Sequence, residues 1–78
     1  MKQKVSHTIL PNESTFNYDR KKYHVVAFIH DETTGNYVYM LRYYGKYKQY
    51  WHYVAMDVED FDMKVDFGLI KNIRRKRK

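Results

Sequence analysis

Between Tyr23 and Met56 apolar and aromatic residues recur with a period of two, broken only where glycine, asparagine and charged residues cluster. That alternation restricts this stretch to β-strands and makes it the body of the fold. Three strands are expected, Tyr23 to His30, Tyr37 to Tyr44 and Tyr47 to Met56, and they hold most of the tyrosines and the only tryptophan. Asp31-Glu32-Thr33-Thr34-Gly35-Asn36 reads as a hairpin loop in which Gly35 takes the left-handed conformation. Gly45-Lys46 reads as a two-residue type II′ turn.

These turns imply a register. A loop closed by Asp31 and Asn36 sets Phe28 against Tyr39 and Ala27 against Met40. A turn at Gly45-Lys46 sets Tyr44 against Tyr47, Leu41 against Tyr50, Met40 against Trp51 and Tyr39 against His52. Alternate residues share a face. One face then carries Val25, Ala27, Ile29, Val38, Met40, Trp51 and Tyr53, with Arg42 and Gln49 towards one end, and is expected to be the core. The other carries Val26, Phe28, Tyr39, Leu41, Tyr43, Tyr50 and His52, with His24 and Lys48 at its margin. It is expected to be an aromatic, basic-edged surface unless residues 1–10 and 63–70 or a helix cover it.

The flanks are less regular. Val5, His7 and Ile9 alternate weakly and suggest a strand over residues 1–10, which Pro11 ends. Residues 11–20 are rich in turn formers and read as a loop, with Phe16 and Tyr18 able to pin it to the core. Residues 57–73 fit two patterns. Met63, Val65, Phe67 and Leu69 alternate as in a strand, whereas Val58, Phe61, Val65, Leu69 and Ile73 make a helical stripe with Asp57, Glu59 and Asp60 at its start. Gly68 and the scarcity of alanine and leucine favour an acidic turn over 57–62 and a strand over 63–70. Residues 74–78 have nothing to bury and are expected to be a disordered basic tail.

With 78 residues the chain makes one small domain, over residues 1–73, with little stability in reserve. It has no cysteine, hence no disulfide or thiolate metal site. No apolar run approaches a membrane span of about 20 residues, and no h-region follows Lys2 and Lys4, so a soluble, cytoplasmic protein is expected. The net charge of +6 is unevenly spread. Residues 20–53 are basic, residues 54–70 are acidic to the same extent, and the surplus lies in Lys71, Arg74, Arg75, Lys76, Arg77 and Lys78.

The succession of short strands with a glycine turn over residues 20–70 resembles SH3-like and Sm-like small barrels. The resemblance implies a mainly β fold, a small antiparallel sheet in a partly closed SH3-like barrel. The alternative is an α+β arrangement, a three- to four-stranded antiparallel sheet with a C-terminal helix. The abundance of lysine, asparagine, tyrosine and isoleucine is that of an AT-rich coding sequence, as in a low-GC bacterium or its phages.

Clustered cations bind polyphosphate by releasing its counterions, and rows of aromatic rings stack unpaired bases. The expected function is therefore non-enzymatic binding of RNA or DNA. The contacts expected are Lys71, Arg74, Arg75, Lys76, Arg77 and Lys78 of the tail and Arg42, Tyr43, Lys46, Lys48 and Tyr50 of the sheet. The alternative is a phage or mobile-element protein that docks on a host protein through its tyrosine-rich sheet. An exposed edge strand also allows a homodimer. No cofactor is called for. His24 and His30 stand about 20 Å apart along one strand, without ligand spacing. The acidic run lacks the glycine and closing glutamate of a calcium loop. Catalysis by His52 with Tyr39, Tyr50 and Lys48 is the weaker reading of the same residues.

Overall fold

The computed structural model describes residues 9–76. The strand expected over residues 1–10 lies almost wholly outside them, and Ile9 and Leu10 are not in a strand. The elements are β1 (Thr15–Tyr18), β2 (Lys21–His30), β3 (Tyr37–Tyr44), β4 (Trp51–Asp57), α1 (Val58–Asp66) and β5 (Lys71–Arg74). They form one antiparallel sheet in the order β4-β3-β2-β1-β5. The first four strands make a meander. The chain then crosses one face of the sheet through α1 and returns beside β1 at the far edge. Among the described residues the sheet is open, with β4 and β5 as its edges, so the partly closed barrel expected from the strand pattern does not form. The mainly β antiparallel sheet and the sheet-plus-helix alternative both describe what is seen.

The β2–β3 hairpin follows the sequence closely. The Asp31 N–H donates to the Asn36 carbonyl (2.8 Å), and Phe28 faces Tyr39 while Ala27 faces Met40. The pairing slips between Val25 and Ala27, where Val26 is an extra residue. This bulge turns Tyr23 and Val25 to the same side as Phe28, although simple alternation puts Val25 with Ala27.

The β3–β4 connection departs from expectation. Gly45-Lys46 is not a two-residue turn; residues 45–50 form the whole link, closed by the Gly45 N–H on the Tyr50 carbonyl (2.9 Å). Met40 accordingly faces Ala55 rather than Trp51, and Tyr44 faces Trp51 rather than Tyr47. The slip is four residues. An even slip preserves which residues share a face, so the grouping of β3 with β4 stands.

Two further elements correct the sequence reading. The loop expected over 11–20 contains β1, joined to β2 by Asp19-Arg20, both with positive φ (51° and 62°). Such a pair is the signature of a type I′ turn, which suits aspartate and strains arginine. Arg20→Gly is therefore expected to raise stability by roughly 1 kcal/mol in urea titrations. The segment expected to be a strand at 63–70 is instead helix α1 followed by its cap. Glu59 and Asp60 lie in the first turn and Lys64 in the last, matching the helix dipole, and Lys64 ion-pairs with Asp60 one turn back. Gly68, which counted against a long helix, terminates this short one: its φ is 74°, and its N–H donates to the Val65 carbonyl (3.0 Å).

The core lies between α1 and one face of the sheet. Leu10, Phe16, Tyr23, Val25, Tyr39, Leu41, Val58, Phe61 and Ile70 are buried. The Phe61 ring sits 5.2 Å from Phe16, edge on, and 4.9 Å from Tyr39. The Tyr39 hydroxyl accepts the Leu10 N–H (3.1 Å), tying the incoming chain to the centre of the sheet. Burial pushes this phenol above its ordinary pKa.

Candidate nucleic-acid interface

The aromatic face that the sequence suggested as a surface is the core, and the face expected to be the core is open. Its strip across β2, β3 and β4 reads Ala27, Ile29, Val38, Met40 and Ala55 at one end, and His24, Arg42, Tyr44, Trp51 and Tyr53 at the other. Ile29, Tyr44, Trp51 and Tyr53 are exposed. No element of the described residues covers them, because α1 lies on the opposite side.

The polar end is organised around Trp51. Paired with Tyr44 at the mouth of the hairpin, its ring meets Tyr44 edge on at 5.4 Å and His24 edge on at 5.4 Å. The Arg42 guanidinium lies over the indole, 4.3 Å from its centroid, with Nη1 3.5 Å from the Tyr53 hydroxyl. Charge stacked on an indole in this way holds a long side chain in place. Tyr44 is fixed in turn by donating its hydroxyl to the Gln49 carbonyl (2.8 Å).

Beside this cluster a groove of about 440 Å³ follows the bulge, lined by Glu13, Thr15, His24, Val25, Val26, Arg42 and Lys76. Burial first, and then Lys22 and Arg42, hold His24 below the usual imidazole pKa. Arg74 pairs opposite Thr15 and so borders the same face. Cations therefore gather at the β1–β2–β5 side and at the β3–β4 loop, while Asp31, Glu32 and Asp57 mark the other end of the strands.

Of the sequence-derived site residues, the groove unites Arg42 and Lys76. Lys46 and Lys48 are exposed on the β3–β4 loop, next to Trp51. Tyr43 lies on the core side, half-buried, stacked on His52 at 4.9 Å and edge on to Tyr23. Tyr50 also leans on His52 (4.4 Å), away from Arg42. Lys71 and Arg74 belong to β5 rather than to a free tail. Arg75 donates to the Ile9 carbonyl (3.0 Å) and the Lys76 N–H to the buried Ser14 hydroxyl (3.1 Å). Arg77 and Lys78 lie outside the described residues.

Trp51, Tyr53, Tyr44 and His24 are further candidate contacts that the sequence reading does not single out. A signal for them was present: their face carries Arg42 in a central strand, and a charge there resists full burial. Among the described residues no three histidine, aspartate or glutamate side chains converge as metal ligands, and no helix is long and apolar enough to cross a membrane. Comparison with protein-family models, with curated proteins and with solved structures finds no match, so the site stands on its own chemistry.

Proposed function

We infer that the protein binds single-stranded nucleic acid, without catalysis, on the open face of its sheet. The observation that carries this reading is Trp51, exposed on a sheet face that no described element covers, with Arg42 laid on its ring and a groove alongside that Arg42 and Lys76 help to line. Unpaired bases stack on Trp51, Tyr53 and Tyr44, and the backbone runs past Arg42, Lys76 and Arg74, with Lys46 and Lys48 at one end. Base stacking tolerates any base, so weak sequence preference follows.

Trp51 is the only tryptophan, so its fluorescence reports the site directly. Unstructured oligonucleotides should quench it at low salt. Affinity should fall with log salt by about 0.7 per phosphate neutralised. Trp51→Ala, read through a labelled oligonucleotide, is expected to weaken binding about 5- to 150-fold, the equivalent of about 1–3 kcal/mol for one lost stack. Tyr50→Ala, on the other side of the sheet, should change little. Absence of quenching by any RNA or DNA oligonucleotide at low salt overturns the reading.

The apolar end of the same face supports a second reading, docking of a host protein. Ile29, Val38, Met40 and Ala55 line a shallow groove of about 380 Å³ rimmed by Asp31 and Glu32. Binding that survives high salt and is abolished by Ile29→Asp would select it.

A further inference from the structure

The two edges of the sheet are guarded differently. β5 carries Lys71 and Arg74, runs on into Arg75 and Lys76, and has a positive φ at Asn72. Charge and distortion of this kind discourage further strand pairing. β4 reads Trp51-His52-Tyr53-Val54-Ala55-Met56-Asp57, with no lysine, arginine, proline or glycine and a single charge at its end.

Which backbone groups of β4 point outward follows from the antiparallel pattern. The Gly45 N–H bonds the Tyr50 carbonyl, which marks a bonded pair. Bonded and non-bonded pairs alternate, so Tyr43–His52, Leu41–Val54 and Tyr39–Met56 are bonded in turn. Trp51, Tyr53, Ala55 and Asp57 then turn their N–H and C=O groups to the open edge.

The geometry points to a second copy of this chain as the occupant of that edge, the two β4 strands pairing antiparallel about a twofold axis at Val54. In this register Tyr53 of each copy bonds Ala55 of the other with two hydrogen bonds. Trp51 lies opposite Asp57 of the second copy, which adds one bond, because the Asp57 carbonyl already starts α1. Only outward-facing residues are joined, and no like charges are opposed. A one-residue slip would set outward groups against inward ones.

Packing agrees on the core side. Phe61 reaches over Phe16 and Tyr39 towards the inner strands and leaves Val54 and Met56 half-buried. In the pair, Val54 meets Val54, and Met56 meets His52 of the second copy. The result is one continuous ten-stranded sheet whose open faces join, so two Trp51–Tyr53 platforms lie on one surface. This pairing stands whether or not the open face binds nucleic acid.

The chain has no cysteine, so a single Val54→Cys reports the register. A non-bonded antiparallel pair brings Cα atoms about 4.5 Å apart, within disulfide range. Mild oxidation of the full chain should convert Val54→Cys to a disulfide-linked dimer several-fold faster than Tyr47→Cys, whose residue is 94% exposed on the neighbouring loop. Ala55→Pro deletes only an outward N–H and keeps the β3 ladder. It should leave the circular dichroism spectrum unchanged and abolish both the cross-link and the dimer. Sedimentation of the unmodified chain provides the readout that needs no variant. A monomer at every accessible concentration, or Val54→Cys cross-linking no faster than Tyr47→Cys, overturns the proposal.

Discussion

Phe61→Ala is expected to remove most of the protein's folding stability at room temperature. Phe61 is 4% exposed, the contact through which α1 grips the sheet, with its ring against Phe16 and Tyr39. Deleting a buried phenylalanine costs about 3–5 kcal/mol. A domain of this size holds stability near the lower end of the usual range, about 5 kcal/mol, so one such loss consumes nearly all of it. Tyr53, by contrast, is 56% exposed on the open face, and Tyr53→Ala should shift stability by no more than about 0.5 kcal/mol. Urea titrations of the two variants decide which face is the core. Were the aliphatic face inside, as the residue pattern first suggests, Tyr53→Ala would be the damaging change and Phe61→Ala the mild one.

How that inversion arose shows what period and composition carry. The grouping of Val38, Met40, Arg42, Trp51 and Tyr53 on one face was legible, because alternation in β3 and β4 survives an even slip of register. The side that faces inward was not, since both faces are hydrophobic and the lid is α1, whose sequence also alternates like a strand. Aromatic bulk decided it: Phe61 fills the space against Phe16 and Tyr39, and Arg42 has a favourable seat only where solvent reaches it. The bulge at Val26 left no mark in composition, because Val25 and Val26 are interchangeable to a pattern. β1 hid behind turn formers, since four residues suffice when Asp19 and Arg20 take left-handed conformations. For the site, Arg42, Lys46, Lys48, Arg74 and Lys76 were legible from charge alone. Trp51 and Tyr53 read as interior because they alternate with residues that are apolar too.

Gly45→Ala is expected to cost about 2–3 kcal/mol, the upper part of what overpacking commonly costs, and to lower the melting temperature by roughly 10–20 °C. The cause is space. Gly45 is buried, its backbone is outside the left-handed region, and a Cβ there would lie 2.6 Å from His52 Nε2 and 2.7 Å from the Lys48 carbonyl oxygen. A side chain can move, but the carbonyl belongs to the tight link in which the Tyr50 N–H donates to Lys48 (2.5 Å). His52→Ala in the Gly45→Ala background should therefore recover only part of the loss, and a double-mutant cycle measures the part due to the ring. A two-residue turn makes the opposite demand. There Gly45 would need positive φ with open space around it, and an added methyl would strain the backbone without meeting His52, so the two substitutions would add independently. Coupling between positions 45 and 52 thus tests the six-residue link itself. The link matters to the proposed interface because it carries Lys46 and Lys48 and leads directly into Trp51. Its distortion should loosen oligonucleotide binding even at temperatures where the variant remains folded.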